Sequence, residues 1–294
     1  MLAVAPARVA LTRLARLHLN VHMSETGIPF SETPELTYLG RLLDTIEAIA
    51  GGVSASSYRD AAQAFAVPPS TAHRLLSLLI ERGYCERAED GRFLPGSRLF
   101  RIGVQVLEQL PQWEAAKKVV SELGQVTGES ISFGLVIGDE IVLIARHNSS
   151  QMLTAVAHVG DILSPHTSAL GKAVLANAAP HKRWSLLDRF APGSADEILR
   201  TLSEELEQVA ERGYSVDEET YAPGMRCRAV PVVDYNCGML GGLSVSGPAV
   251  RFTESRAKST VPQLKEAADR LVNTPTAASR TRHATHITRN TGQR

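Results

Sequence analysis

The chain has 294 residues, long enough for two domains, and its 44% hydrophobic and 21% charged residues are ordinary for a globular protein. Basic and acidic side chains number 31 each, so net charge is zero and electrostatics alone gives no argument for nucleic acid; a DNA reader of this balance has to cluster positive charge on one face and act in two copies. No apolar run approaches the roughly 18 residues of a membrane span, and Cys85, Cys227 and Cys237 fit neither a disulfide framework nor a C-x-x-C metal pattern, so the expectation is a reducing cytoplasm with no membrane partner, no metal and no cofactor.

Residues 1–22 contain arginines and no acids. Two readings stand: an amphipathic targeting peptide, or a start at Met23 with a disordered stretch upstream. The second is preferred, which makes residues 1–32 an N-terminal extension. His18 and His22 have an H-x3-H spacing without a second ligand pair, so no metal site is expected. From Thr33 the pattern predicts a helix, with Pro34 just inside it, Leu36, Leu39, Leu43, Ile46 and Ile49 at helical spacing, and Gly51-Gly52 as its stop.

Residues 33–96 then carry the most informative stretch, which splits at Val67-Pro68-Pro69 into two short helices. The first starts after Ser56 or Ser57 as N-cap and buries Tyr58, Ala61, Ala62 and Phe65. In the second, Ala72, Leu75, Leu76 and Leu79 recur at the i, i+3, i+4, i+7 spacing of a buried face. That leaves Ser70, Thr71, His73 and Arg74 on the outer face near its start, donors for phosphates and base edges at the end of a helix that enters a major groove first. An ordinary helical hairpin shares this pattern. What separates the two is the hairpin that follows, Tyr84 to Arg87 and Arg92 to Leu94 around Glu89-Asp90-Gly91, whose glycine takes positive φ. Helix, turn, helix and wing together predict a winged helix-turn-helix, in which Arg87 and Arg92 lie against phosphates and position the domain without reading sequence.

Residues 97–112 predict a linker helix with apolar side chains at Leu99, Phe100, Ile102, Val104, Val106 and Leu107, more than one face should expose, so a second domain or a second copy has to cover it. Over 113–274 the expectation is a helix through Ala115, Val119, Val120 and Leu123, strands at Ile131–Ile137 and Ile141–Ala145, a third at Leu153–Ala157, a loop feeding a helix at Ser164–Asn177, and two more helices, the second opened by a Ser194-x-x-Glu197 capping box. Strands at Cys227–Val233 and Met239–Ser246 and a last helix after Thr253 close the domain. Antiparallel hairpins interrupted by helices indicate an α+β fold and not a doubly wound parallel sheet. Residues 275–294 hold arginines and histidines but no acid, a composition of disorder, with a non-specific DNA-tethering arm as the alternative.

From about Glu35 to Val272 the chain resembles the isocitrate lyase regulator (IclR) family of bacterial transcription factors. The resembling segments are VPPSTAHRLLSLLIERGY, GRFLPGSRLFRIG, SPHTSALGKAVLA, ERGYSVDEETYAPGMRCRAVPVVD and GGLSVSGP. The resemblance implies a winged helix-turn-helix, a dimerising linker and a GAF-like antiparallel-sheet domain that binds a small organic or aromatic acid to regulate transcription from a pseudo-palindromic operator, as a homodimer or homotetramer. It also implies effector contacts at Ser168, Ala169 and Leu170, where a helix N-terminus presents N–H groups to an anion, and at Asp217, Cys227, Ser244 and Ser246. Ser244 and Ser246, two apart, point to one sheet face. The chain departs from the family pattern at Thr220, Arg228, Val233, Pro69 and Ala66. Ala66 stands where glycine is usual, which costs on the order of 1 kcal/mol if the turn requires positive φ.

Enzymatic readings are weaker. Leu170-Gly171-Lys172-Ala173 lacks the upstream glycine and the Ser or Thr of a P-loop, and Gly242-Leu243-Ser244-Val245-Ser246 lacks the last glycine of a nucleophile elbow. A Cys227, His166, Asp217 triad needs a proximity that sequence does not supply. The expectation is a DNA-binding regulator and not an enzyme, the alternatives being a small-acid-binding enzyme and an effector-independent DNA-binding dimer.

Overall fold

A computed structural model describes residues 34–110, 113–151, 157–235 and 238–273. The chain divides into two compact units, one ending at Gln105 and the other beginning at Val106.

In the first unit, α1 (Pro34–Ala50), α2 (Tyr58–Ala64) and α3 (Pro69–Glu81) enclose a small core closed by the hairpin β1 (Cys85–Arg87) and β2 (Phe93–Pro95). Ser57 caps α2, its hydroxyl accepting from the Asp60 N–H at 3.1 Å. Ala72, Leu75, Leu76 and Leu79 of α3 are all buried, and most of that face packs with Ile49, Ala61, Phe65, Val67, Cys85 and Phe93. Truncating a leucine there to alanine costs about 2–5 kcal/mol. The expected face of α1 is only partly right. Thr45 and Ile49 are buried and Leu42 and Ile46 half-buried, whereas Leu39 and Leu43 are exposed: the residues that enter the core lie in the C-terminal part of the helix. Tyr58 is half-buried and not interior.

Ala66 has φ of 50°, the left-handed conformation that glycine adopts without a Cβ clash. Ala66→Gly is expected to raise stability by roughly 0.5–1 kcal/mol, read as a higher urea midpoint at unchanged slope. A lower midpoint contradicts the strain assignment.

Helix α4 (Ser97–Glu108) buries none of its residues: Phe100, Ile102, Val104 and Val106 all stand exposed.

The second unit is a five-stranded antiparallel sheet built from β3 (Ser130–Ile137), β4 (Glu140–His147), β5 (Ser215–Glu218), β6 (Met225–Asp234) and β7 (Met239–Pro248), in the order β4-β3-β7-β6-β5. One face packs on α5 (Trp113–Thr127), α9 (Glu254–Ser259) and α10 (Val261–Val272), through Val119, Val120, Ile131, Phe133, Val230, Val245, Leu264 and Leu271. The other packs on α6 (Ala169–Asn177), with α7 (Pro180–Phe190) and α8 (Ala195–Arg212) behind it. Alternation along each strand delivers this division, since successive side chains point to opposite faces.

Four expectations change, and one falls mostly outside the described residues. The third strand at Leu153–Ala157 lies, apart from Ala157, outside the described residues; beside β4 runs the segment 160–163, with Leu163 N–H donating to Ile141 O at 2.8 Å. Strand β5 was missed. The last helix is two, divided at Thr260 with Pro262 in the first turn of α10, where a missing N–H costs nothing. Ser194 caps α8 in position only, without a side-chain hydrogen bond, so no capping box forms. In α5 the buried alanine is Ala116, and Ala115 is half-buried.

Candidate functional site

On α3, Ser70, His73 and Arg74 are exposed and Thr71 half-buried. The helix opens on Pro68 with Pro69 in its first turn and no side-chain cap; neither proline carries an N–H and the Thr71 N–H donates to Pro68 O at 2.9 Å, which leaves the Ser70 N–H for an external acceptor. The two larger side chains are held in place by aromatic rings. Arg74 sits with its guanidinium carbon 5.1 Å from the centre of the Tyr38 ring on α1. The His73 ring lies 4.5 Å from the Tyr58 ring of α2, its Nδ1 3.5 Å from Ser77 Oγ. Tyr58 also packs 5.2 Å from Phe93 of the wing, and the Arg87 guanidinium lies 5.6 Å over Tyr58 and 5.7 Å over Phe93. One tyrosine therefore links α3 to the wing, a role sequence reasoning missed because it saw only a core position.

Arg92, expected to lie against phosphates, is paired within the wing. Its Nε lies 2.6 Å from Asp90 Oδ2, and its backbone N–H donates to Asp90 Oδ1 at 3.1 Å. Those hydrogen bonds, the backbone one foremost, hold the Asp90 carboxyl below the usual carboxylate range. The wing tip thus carries a neutral pair at Arg92 and Asp90, and Arg87 Nε donates to Gly91 O at 3.3 Å.

In the second unit the sheet register assembles a polar patch on the face toward α6. Two transverse rows can be traced. In the first, Arg146 pairs with Ser132, Ser132 with Ser244, Ser244 with Ala229 and Ala229 with Ser215; in the second, Ser130 pairs with Ser246, Ser246 with Cys227 and Cys227 with Asp217. Members of the two rows on one strand are two apart and share a face. Ser130, Ser132, Ser215, Asp217, Ser244 and Ser246 are all buried.

Helix α6 is set beside this patch by close contacts. Leu170 rests on Gly134 and Gly242, where a Cβ on Gly242 would come within 2.9 Å of Leu170 Cγ. Ser215 Oγ donates to Ala169 O at 2.5 Å, tying β5 to the start of the helix. Ser168 is the N-cap: its hydroxyl donates to Ser164 O at 2.6 Å and accepts from Gly171 N–H at 3.0 Å. The structure therefore brings Ser168, Ala169, Leu170, Asp217, Cys227, Ser244 and Ser246 into one neighbourhood, and adds two residues that sequence reasoning did not single out, Arg146 and Ser132. Arg146 Nη1 donates to Ser132 Oγ at 2.6 Å and its Nε to Asn148 Oδ1 at 2.7 Å.

Asp217 is the most constrained member. Its Oδ1 accepts from the N–H groups of Thr220 (2.8 Å) and Tyr221 (3.2 Å), while Oδ2 is buried without a hydrogen-bond partner. Cys227 keeps part of its surface open onto the patch, yet the protein around it pushes its thiol up to about 12, desolvation first and the Asp217 charge second. Burial likewise pushes Cys85 up to about 11. At pH 8 a thiol near 12 is ionised to roughly one part in ten thousand, so neither cysteine is expected to take up iodoacetamide in the folded protein, and both should do so in guanidinium, as read by peptide mass mapping. Rapid alkylation of Cys227 in the folded chain contradicts this.

The contacts of His166, a member of the imagined triad, are with residues other than Cys227 and Asp217. Its Nδ1 is 3.4 Å from Ser164 Oγ and its ring packs edge-on to Phe190 at 5.5 Å, neighbours different from those of Cys227. Lys172 of the P-loop-like stretch is buried and paired with Glu205 of α8 at 2.7 Å. Among the described residues no cluster of His, Cys, Asp and Glu is arranged to hold a metal, and no helix is long and apolar enough to cross a membrane. His18 and His22 lie outside the described residues. Behind β5 and β6, on the face away from the polar patch, a cleft of about 430 Å³ is lined by Arg212, Tyr214, Val216, Glu218, Arg228, Glu254 and Lys258. Arg228, unusual at its position, is explained there: its Nη2 pairs with Glu218 at 2.6 Å and its Nη1 donates to Cys227 O at 2.8 Å.

With this geometry in place, comparison with known proteins is specific. Residues 104–273 match the family described as bacterial transcriptional regulator IclR C-terminal, and residues 39–89 match the IclR helix-turn-helix domain. The HTH-type transcriptional regulator BhcR of Paracoccus denitrificans is 31% identical over 251 residues, covering 83% of this chain and 89% of BhcR. The transcriptional repressor IclR of Escherichia coli K12 is 28% identical over 231 residues, covering 76% of this chain and 84% of the repressor. Among solved structures, Thermotoga maritima IclR aligns with a TM-score of 0.63 at 28% identity over 81% of this chain and 98% of that one. An IclR homolog of Microbacterium hydrocarbonoxydans, solved in complex with 4-hydroxybenzoate, shares the fold with a TM-score of 0.67 at 24% identity over 80% and 97% of the two chains. Both halves match in the same order, and the chain belongs to the IclR family of DNA-binding bacterial transcriptional regulators, with a helix-turn-helix domain followed by an effector-binding domain.

Proposed function

We propose that this regulator binds a pseudo-palindromic operator as a dimer or a pair of dimers and that a small organic acid, bound at the polar patch of the second unit, controls that binding. Ser70, Thr71, His73 and Arg74 meet bases and phosphates in the major groove, and Arg87 and Arg92 flank it from the wing. The exposed apolar side chains of α4, together with Leu39 and Leu43 of α1, are the surfaces a second copy covers. Two readers so joined address half-sites about 34 Å apart, one turn of the duplex.

The observation that supports the effector reading is the patch itself: buried serines, Arg146 and Asp217 gathered on one sheet face beside the N-terminus of α6, with Asp217 Oδ2 buried and without a hydrogen-bond partner. Ser168, Ala169 and Leu170 offer helix-terminal N–H groups to an anion, and Asp217, Cys227, Ser244 and Ser246 line the rest. In this reading the ligand leaves unchanged, in keeping with a Cys227 thiol held protonated by desolvation and the Asp217 charge. Regulation follows if the acid binds one arrangement of the sensor units better than the other, the linker carrying the difference to the spacing of the readers. A thermal-shift screen of small carboxylic and aromatic acids on the full chain tests this. An acid at a hundred times its Kd stabilises by about 2.7 kcal/mol. A flat response to every acid, with operator binding intact, supports instead the effector-independent dimer.

A further inference from the structure

The aromatic contacts of the first unit converge on one ring. Tyr58, the first residue of α2, is half-buried, and its ring centre lies 4.5 Å from that of the exposed His73 on α3 and 5.2 Å from that of the buried Phe93 on β2. Arg87, exposed on β1, stands directly across the hairpin from Phe93, and its guanidinium carbon lies 5.6 Å from the Tyr58 ring and 5.7 Å from the Phe93 ring. Rings at these separations attract each other, and a cation over a ring is attracted by its quadrupole. A side chain of the recognition helix and a side chain of the wing therefore rest on the same tyrosine.

The backbone beneath that ring is pinned. Ser57 caps α2 immediately before Tyr58, accepting from the Asp60 N–H at 3.1 Å, and the Ser56 hydroxyl donates to Asp60 Oδ2 at 2.9 Å. The wing is fastened to the same few residues: Phe93 N–H donates to Ala55 O at 3.1 Å, and Gly91, at a φ of 88°, passes so near Ser56 that a Cβ would lie 3.1 Å from its carbonyl oxygen. Backbone contacts thus join the wing to the start of α2, while His73, on the outer face of α3, touches that assembly at the Tyr58 ring. Arg74 is seated differently, with its guanidinium carbon 5.1 Å from the Tyr38 ring on α1.

We propose that Tyr58 is a positioning residue for operator recognition, its ring coupling His73 of the recognition helix to Arg87 of the wing so that each contact with the duplex strengthens the other. This rests on the reading of α3 and the wing as the DNA-contacting surface and goes beyond it. A side chain that docks gives up rotamer freedom. Where two such side chains share one ring, docking of the first fixes the ring on which the second is seated, so the second has less freedom left to lose. The base contact and the phosphate contact then form together, and a duplex that satisfies only one of them loses part of the other.

A double-mutant cycle tests the coupling. Affinity of the full chain for a duplex it selects from a random pool is measured by fluorescence anisotropy at one salt concentration. His73→Ala, Arg87→Ala and their combination are compared in three backgrounds: the unaltered chain, Tyr58→Phe and Tyr58→Leu. In the unaltered chain the product of the two single losses is expected to exceed the loss of the double variant by about 3- to 10-fold, the size of an aromatic or cation–π coupling. Tyr58→Phe keeps the ring and should keep that excess. Tyr58→Leu removes the ring and should bring the product and the double loss within about twofold of each other; Tyr58→Met takes its place if the leucine variant does not fold. Losses from Arg74→Ala and Arg87→Ala should multiply in every background, since Arg74 rests on another ring. A tyrosine that only supports the fold would lower the thermal midpoint when replaced and leave the cycle unchanged. Single losses that multiply in the unaltered chain, an excess absent from Tyr58→Phe or surviving without the ring, or an equal excess for Arg74 with Arg87, overturn the proposal and leave the DNA-contact reading standing. If neither single substitution weakens binding, both are overturned.

Discussion

Arg74→Ala is expected to weaken operator binding by about 5- to 150-fold, the 1–3 kcal/mol of a lost base or phosphate contact by an arginine, while leaving every acid-induced thermal shift unchanged. The size follows from how the side chain is held. Arg74 stands exposed on a helix whose opposite face is fixed by Ala72, Leu75, Leu76 and Leu79, and its guanidinium rests over Tyr38, so little rotamer freedom remains to be lost on docking. Fluorescence anisotropy with an operator duplex at two salt concentrations separates its two roles. A base contact relaxes sequence preference at one position of each half-site; a phosphate contact lowers affinity evenly and shallows the salt dependence by about one ion. Unchanged affinity at moderate salt would remove α3 from the interface.

Gly171→Ala is expected to abolish the response to acids and destabilise the second unit by about 1–3 kcal/mol or more. Helix propensity alone favours alanine by about 1 kcal/mol, so the sign of the effect is a direct test of packing against propensity. A Cβ at this position would lie 2.2 Å from Ser164 O and 2.6 Å from Pro165 Cα, backbone atoms that have no rotamer to change. To make room the segment from Ser164 must move off α6, breaking the bond from Ser168 to Ser164 O and with it the cap on Gly171 N–H. Thermal unfolding and titration with the acids that bind the unaltered chain read both effects; operator binding through the first unit should persist. A variant at least as stable as the original, and still responsive, contradicts the placement of the loop.

The first unit was legible because its signals are local. Apolar side chains at helical spacing, two prolines and an acidic-glycine turn each act within a few residues, and they delivered α3 and the wing, whereas the glycine-like position of Ala66 came from the resemblance. What was not legible there depended on neighbours. Leu39 and Leu43 follow the helical period but stand exposed among the described residues, and Arg92 is paired with an acid two residues away that sequence reading treated as turn chemistry. In the second unit, alternation placed Ser244 and Ser246 on one face, but no period says which strands adjoin. Arg146 reaches the patch only because β3 pairs with β4 on one side and β7 on the other, and Asp217 only because β5 adds to the far edge of β6. Strand β5 itself, four residues after a glycine-capped helix, is too short to show alternation. The resemblance supplied Asp217 and Cys227 without their surroundings; the orphaned oxygen needed coordinates.

The account turns on a paired molecule inserting the front of α3 into duplex DNA, and selection from a random pool of duplexes by the full chain tests that most directly. The expected result is enrichment of an inverted repeat whose half-sites lie one or a whole number of helical turns apart, lost when Arg74 is replaced by alanine. Recovery of no preferred sequence, or of the same sequence with the Arg74→Ala chain, would contradict it.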